Sequence, residues 1–132
     1  MSQENVEIVQ GAYDMWNAGE MDVFASVLAS DLVMSSPPDW PDDITSRGRD
    51  EAHRQLLENR SLFESDRLVA EQWIDAGDRV IVPTRWCVVP KGASAELTVY
   101  LVPVYTLRGA TIVRLDWYQS IPQALKAVGL EG

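Results

Sequence analysis

The chain has 132 residues and a formal net charge of −9, from 20 acidic and 11 basic residues. This length fits one domain with a core and a small pocket, so residues 1–132 are interpreted as a single domain. The excess of acidic residues argues against nucleic acid and anionic membranes as partners, because both require a basic protein surface.

Cys87 is the only cysteine and His53 the only histidine. No internal disulfide or Cys/His metal set is possible, so we expect neither a metal nor a cofactor. We interpret Cys87 as a small apolar residue of a strand, because the sequence indicates no neighbouring base that would deprotonate its thiol. The longest apolar runs fall short of the roughly 20 residues of a membrane span, and the acidic start is unlike a signal peptide, which predicts a cytoplasmic protein.

The first part of the chain has the periodicity of amphipathic helices. Apolar residues recur every three or four positions over residues 3–18, and Gly19 then favours a helix end. A second, short helix is predicted to begin with Asp22 as its cap. Residues 32–34 predict a short strand, which ends before Pro37 because proline has no N–H for a ladder.

Residues 35–48 form the longest predicted loop, which contains Trp40. Loops of this length in a compact domain are often functional, which favours a mouth or lid over a pocket. A surface excursion held by one tryptophan is the alternative, and both stay open. Asp50 then caps a third predicted helix that runs to about residue 64, with Arg60 on its outward face.

From Arg67 onward the pattern changes from helical to alternating. Strands are predicted at 68–75, 79–90, 96–107 and 111–119, and a short helix at 121–128. Short turns between the strands predict antiparallel neighbours, and helices followed by such strands indicate an α+β fold whose curved sheet has its concave face covered by the helices. Both faces of the two middle strands are apolar, so we expect one face to line an enclosed pocket and the other to form a homodimer interface.

The last predicted strand carries a carboxylate among apolar neighbours. Alternation puts Arg114, Asp116 and Tyr118 on one face, opposite Leu115 and Trp117. An ionisable group is found among apolar residues of a strand mainly where it is paired with an opposite charge or takes part in binding or catalysis. Asp116 is therefore predicted to face the interior, and an Arg–Asp pair on a solvated face is the alternative.

Several segments resemble the SnoaL-like family of the nuclear transport factor 2 superfamily, over nearly the whole chain. They are residues 16–22, 30–33, 47–52, 76–80, 109–114 and 123–125. The resemblance implies an NTF2-like (cystatin-like) cone, in which a curved antiparallel sheet wraps around N-terminal helices. The superfamily includes polyketide cyclases, ketosteroid isomerase and limonene epoxide hydrolase, and it also hosts carriers and assembly modules, so the fold alone does not define the chemistry.

The resemblance also implies roles for individual residues. Asp116 matches the essential aspartate on the last strand of SnoaL-type cyclases, and Tyr13 falls near the oxyanion tyrosine of ketosteroid isomerase. In limonene epoxide hydrolase an arginine holds two carboxylates. Arg85 and Asp116 match that arginine and one acid, whereas Cys87 stands where the other acid would be.

The predicted function is that of a small acid–base enzyme, cyclase- or isomerase-like, acting on an apolar carbonyl compound. Asp116 would accept and donate the proton, and Arg85 would orient Asp116 or stabilise an oxyanion. The predicted substrate-binding residues are Tyr13, Trp16, Met34, Trp40, Cys87, Tyr105, Arg114 and Tyr118. The alternatives are a non-catalytic binding protein for an apolar metabolite, an epoxide-hydrolase-like enzyme with altered machinery, and a dimerisation module without a ligand.

Overall fold

The computed structural model describes residues 2–36 and 45–129. Its helices are α1 (Ser2–Ala18), α2 (Met21–Ala25), α3 (Arg49–Ser61) and α4 (Ile121–Ala127). Its strands are β1 (Leu28–Ser35), β2 (Thr45–Arg47), β3 (Phe63–Ala70), β4 (Ile74–Ala76), β5 (Arg79–Ile81), β6 (Thr84–Pro90), β7 (Leu97–Arg108) and β8 (Thr111–Tyr118). The predicted α+β class is confirmed. None of the helices in the two described ranges is long and apolar enough to cross a membrane.

The strands form one sheet in the order β2-β1-β8-β7-β5-β4, and β6 also joins β7 to β3. The predicted strand 79–90 is two strands, because Pro83 lacks the N–H that a continuous ladder needs. The predicted strand 68–75 is divided in the same way, since β3 pairs with β6 and β4 pairs with β5. Strand β7 contacts both halves, and the parallel pair of β1 with β8 brings the N-terminal strand beside the last one.

Two apolar clusters lie on opposite sides of the sheet. The larger one packs the first three helices onto the concave face and includes Val9, Leu32 and Ile112, each 0% exposed. The smaller one lies on the outer face, where α4 covers Ile81 and Val102. Each fully buried aliphatic side chain contributes about 1.5 to 3 kcal/mol. The larger cluster therefore holds α1 and α3 over the sheet, and α4 covers part of the outer face that we assigned to a second subunit.

A β-bulge determines which side chains of β8 reach the interior. Near the turn Leu107 is opposite Ile112, but farther along the strands Val104 is opposite Asp116. A uniform register would place Pro103 opposite Asp116, so one extra residue of β8 lies between these pairs. Side chains alternate between faces, and a shift of one residue therefore turns the rest of β8 over. As a result Asp116 shares the outer face with Val104, a member of the smaller cluster.

Candidate functional site

A cavity of about 330 Å³ lies between the helices and the concave face of the sheet. Most of its lining is apolar or aromatic: Tyr13, Trp16, Phe24, Met34, Leu56, Leu62, Phe63, Leu68, Trp86, Val99, Leu101, Tyr105, Leu115 and Trp117. The other described lining residues are Ser35, Ser36, Gln55 and Asn59. Leu62 and Val99 are also exposed to solvent, which places the mouth of the cavity between the end of α3 and the start of β7.

Three hydroxyl groups form a hydrogen-bonded chain at the wall of the cavity. Tyr105 Oη donates to Tyr13 Oη at 3.1 Å, and Tyr13 Oη lies 2.7 Å from Thr84 Oγ1. Thr84 Oγ1 donates to the carbonyl oxygen of Val82 at 2.6 Å. Burial raises the pKa of Tyr13 from 10.0 to about 12 and raises the pKa of Tyr105 well above its ordinary value. Both phenols are therefore neutral at physiological pH.

Asp66 is a buried carboxylate next to the cavity, with a side chain only 2% exposed. Its Oδ2 accepts hydrogen bonds from Trp16 Nε1 at 2.7 Å and from Trp86 Nε1 at 2.8 Å. Its Oδ1 lies 2.9 Å from Arg60 Nε. These three donors replace the hydration that the carboxylate loses on burial. Because both indoles line the cavity, one carboxylate holds two of its walls in place.

Arg60 holds the same region from the last turn of α3. Its Nη1 donates to the Trp16 carbonyl oxygen at 2.8 Å, and its guanidinium carbon lies 4.9 Å from the centre of the Trp16 ring. The prediction that Arg60 points outward is therefore wrong, because its long side chain turns back over α1. No sequence pattern pairs it with Asp66, since the two residues lie on different elements that meet at the turn after Ser61.

Four of the predicted substrate-binding residues lie at the cavity: Tyr13, Trp16, Met34 and Tyr105. Tyr13 and Trp16 are three residues apart on α1 and so project from the same face of the helix. Trp40 lies outside the described residues.

Asp116 lies on the outer face of the sheet, so the prediction that it faces the interior of the cone is wrong. Arg114 Nε donates to Asp116 Oδ2 at 2.8 Å and to Oδ1 at 3.1 Å. Arg114 and Tyr118, predicted to bind substrate, are on the same outer face, where Tyr118 packs against the cluster under α4. The bulge is the physical reason, because it directs Leu115 and Trp117 into the cavity instead.

Arg85 and Cys87 also lie away from the cavity, because alternation along β6 points their neighbours Thr84 and Trp86 inward. Arg85 Nε is 3.6 Å from Glu71 Oε2, and both side chains are largely exposed. Cys87 is buried but is absent from the described cavity lining. Within residues 2–36 and 45–129, no hydrogen bond or ion pair joins Arg85 to the carboxylate of β8. The arginine and acid expected from limonene epoxide hydrolase are therefore not assembled.

His53 links two helices. Its Nε2 donates to the carbonyl oxygen of Met21 at 3.1 Å, which ties α3 to the start of α2. In the part of the chain that the structure describes, no group of three or more His, Cys, Asp or Glu side chains is arranged to hold a metal ion.

The curved sheet, the helices over its concave face and the apolar cavity between them define an NTF2-like domain. Residues 9–115 match the family model of the SnoaL-like domain, and the chain belongs to this family. No curated protein matches the sequence.

Solved structures share this fold at low sequence identity. TerC, crystallised with polyporic acid, is 18% identical, with a TM-score of 0.74 over 96% of this chain and 98% of TerC. An NTF2-like protein of unknown function from Burkholderia pseudomallei K96243 is 17% identical, with a TM-score of 0.76 over 95% and 97% of the two chains. A protein from Jannaschia sp. CCS1, proposed to be a SnoaL-like polyketide cyclase, is 19% identical, with a TM-score of 0.74 over 98% and 94%. These similarities establish the fold alone.

Proposed function

We propose that this protein binds a small, apolar, ring-containing organic molecule in the cavity between its helices and its sheet. The observation that carries the proposal is the lining, in which aromatic and aliphatic side chains surround a few polar groups. The cavity volume of about 330 Å³ falls within the range of about 300 to 1,000 Å³ typical of small-molecule sites. Indole and phenyl faces favour a flat apolar partner, because stacked or edge-on ring contacts add to the gain from burial.

The network around Asp66 supports a preformed site. Trp16 and Trp86 are each fixed by a hydrogen bond to the same carboxylate, so their rings are ordered before a ligand enters. A wall that is already ordered lowers the entropy cost of binding. TerC, which shares the fold, was crystallised with a small organic molecule, polyporic acid, which is consistent with the same kind of use.

Filling the cavity tests this proposal. Leu68→Trp places a large side chain inside the cavity, and Arg67→Trp adds the same side chain at the adjacent exposed position. With 2-naphthol or 1-tetralone at ten times its Kd, the unfolding free energy of the unmodified protein should rise by about 1.4 kcal/mol. For a domain of this size that corresponds to a Tm increase of roughly 5 °C. The increase should disappear in Leu68→Trp and persist in Arg67→Trp, and equal responses of the two variants would contradict binding in the cavity.

A cyclase- or isomerase-like reaction on an apolar carbonyl compound is a second candidate. The observation that favours it is the pair of neutral phenols, Tyr13 and Tyr105, at the cavity wall, since the Tyr105 phenol could stabilise an oxyanion if its hydrogen turned from Tyr13 to the substrate. Asp116 is not the acid or base in this candidate, because it lies on the other side of the sheet. If turnover of such a compound is found, Tyr105→Phe should lower kcat by roughly 10²-fold or more with little change in binding.

A further inference from the structure

The hydroxyl chain at the cavity wall has a direction that the local chemistry determines. A carbonyl oxygen can only accept, so the single hydrogen of the Thr84 hydroxyl is committed to Val82. Thr84 Oγ1 must then accept the hydrogen of Tyr13, and Tyr13 Oη must accept the hydrogen of Tyr105. Every hydrogen in the chain is thus committed to an acceptor within the protein.

The chain begins at the hydroxyl of Tyr105, a residue that lines the cavity. Its hydrogen is used in the bond to Tyr13, and no donor from the described residues is recorded on its lone pairs. Tyr105 is 5% exposed and lines the cavity, so a ligand there meets an oxygen that is ready to accept. Turning the Tyr105 hydrogen toward the cavity would break its bond to Tyr13, and reversing the whole chain would also take the donor away from the Val82 carbonyl.

From this polarity we infer that the ligand carries a hydroxyl group, of the phenol or enol class, which donates its hydrogen to Tyr105 Oη. The apolar body of the ligand then lies among the rings of Trp16, Trp86 and Trp117. A ketone or ether of the same size offers only lone pairs, which would meet the lone pairs of Tyr105. The inference rests on the proposed binding function and adds the chemical class of the ligand.

Two probes of similar size separate these cases. 2-Naphthol has a hydrogen to donate, whereas 1-tetralone can only accept. Their Kd values are measured at pH 7 by quenching of tryptophan fluorescence, in the unmodified protein and in Tyr105→Phe. A net hydrogen bond corresponds to roughly tenfold in affinity, so the ratio of the tetralone Kd to the naphthol Kd should be about tenfold larger in the unmodified protein than in Tyr105→Phe. Comparing the ratios removes the difference in hydrophobicity between the probes.

Tyr13→Phe gives an independent test of the direction of the hydrogen bond from Tyr105 to Tyr13. It removes the acceptor of the Tyr105 hydrogen, which then becomes free to turn toward the ligand. The ratio should therefore fall below that of the unmodified protein, because tetralone gains a donor. Near-UV circular dichroism checks that each variant keeps its fold, and this second variant decides the question if Tyr105→Phe does not.

The possible results test the inferred ligand class separately from the proposed binding function. A ratio that is unchanged in both tyrosine variants, or one that favours tetralone in the unmodified protein, overturns the inference while binding in the cavity stands. If neither probe binds the unmodified protein, both the proposed function and the inference fail. A ratio that favours naphthol and falls in both variants supports them together.

Discussion

Replacing Asp66 with Asn tests whether one buried carboxylate holds two walls of the cavity. The carboxylate accepts from three N–H groups, those of Trp16, Trp86 and Arg60. Asparagine keeps the shape of the side chain but has one oxygen, and its amide nitrogen is a donor. At least one of the three N–H groups would then face another donor. Arg60 would also lose its counter-charge.

The expected loss follows from the burial of this network. Removing one partner of a buried ion pair costs about 3 to 5 kcal/mol. The Arg60 side chain is 22% exposed and keeps some hydration, so we expect a loss near the lower end, about 3 kcal/mol. Glu71→Gln is the matched control, because it also removes a carboxylate from an arginine. The side chains of Glu71 and Arg85 are 43% and 50% exposed, and a surface pair of this kind contributes only about 0 to 1 kcal/mol.

Urea unfolding at pH 7, followed by far-UV circular dichroism, measures both losses. Tryptophan emission should shift to the red in Asp66→Asn but not in Glu71→Gln, because only the first change releases indoles from a buried acceptor. Naphthol affinity should fall in Asp66→Asn as the two rings lose their fixed positions. A loss for Asp66→Asn below about 1 kcal/mol, or one equal to that of the control, would refute a structural role for this carboxylate.

Four further predictions concern other parts of the molecule. The folded pKa of Tyr13, about 12, lies above its unfolded value of 10.0, so the folded state keeps this proton to higher pH. The contribution of Tyr13 to stability is complete below pH 10, and about 2 to 3 kcal/mol of it should be lost between pH 10 and 12. Urea unfolding measures this loss, which should be smaller in Tyr13→Phe. Asp116→Asn should cost less than about 1 kcal/mol and leave naphthol affinity unchanged, because its partner Arg114 is 48% exposed and lies outside the cavity; a tenfold loss of affinity would contradict this. Cys87→Ala should cost about 1 kcal/mol in the same unfolding assay without changing the affinity for naphthol, since the thiol is buried away from the cavity. Sedimentation at micromolar concentration should show a homodimer, and Tyr100→Asp should weaken it, because Tyr100 is 42% exposed at the end of β7 that α4 does not cover. A monomer of the unmodified protein would contradict this prediction.

Periodicity predicted the parts of the site that depend on one element at a time. Tyr13 and Trp16 repeat at helical spacing, and helices of an α+β domain bury one face, so both reach the cavity. Tyr105 follows in the same way from alternation along β7. Asp66 could not be found like this, because it lies just before the predicted strand 68–75 and its three partners come from α1, α3 and β6. Such a network depends on how separate elements meet.

The position of Asp116 shows how a local irregularity can decide the chemistry of a cavity. Alternation along β8 separates two faces, but pairing with β7 decides which of them meets the helices. Ile112 and Leu115 are both buried in the main core although they are three residues apart, a spacing that strict alternation does not allow. The burial of both Ile112 and Leu115, three residues apart on one strand, therefore reflects the bulge between them. Because the bulge turns Asp116 outward, the titratable side chains among the described cavity lining are the two neutral phenols, Tyr13 and Tyr105. The ligand that we propose would therefore be recognised by hydrogen bonds between uncharged groups.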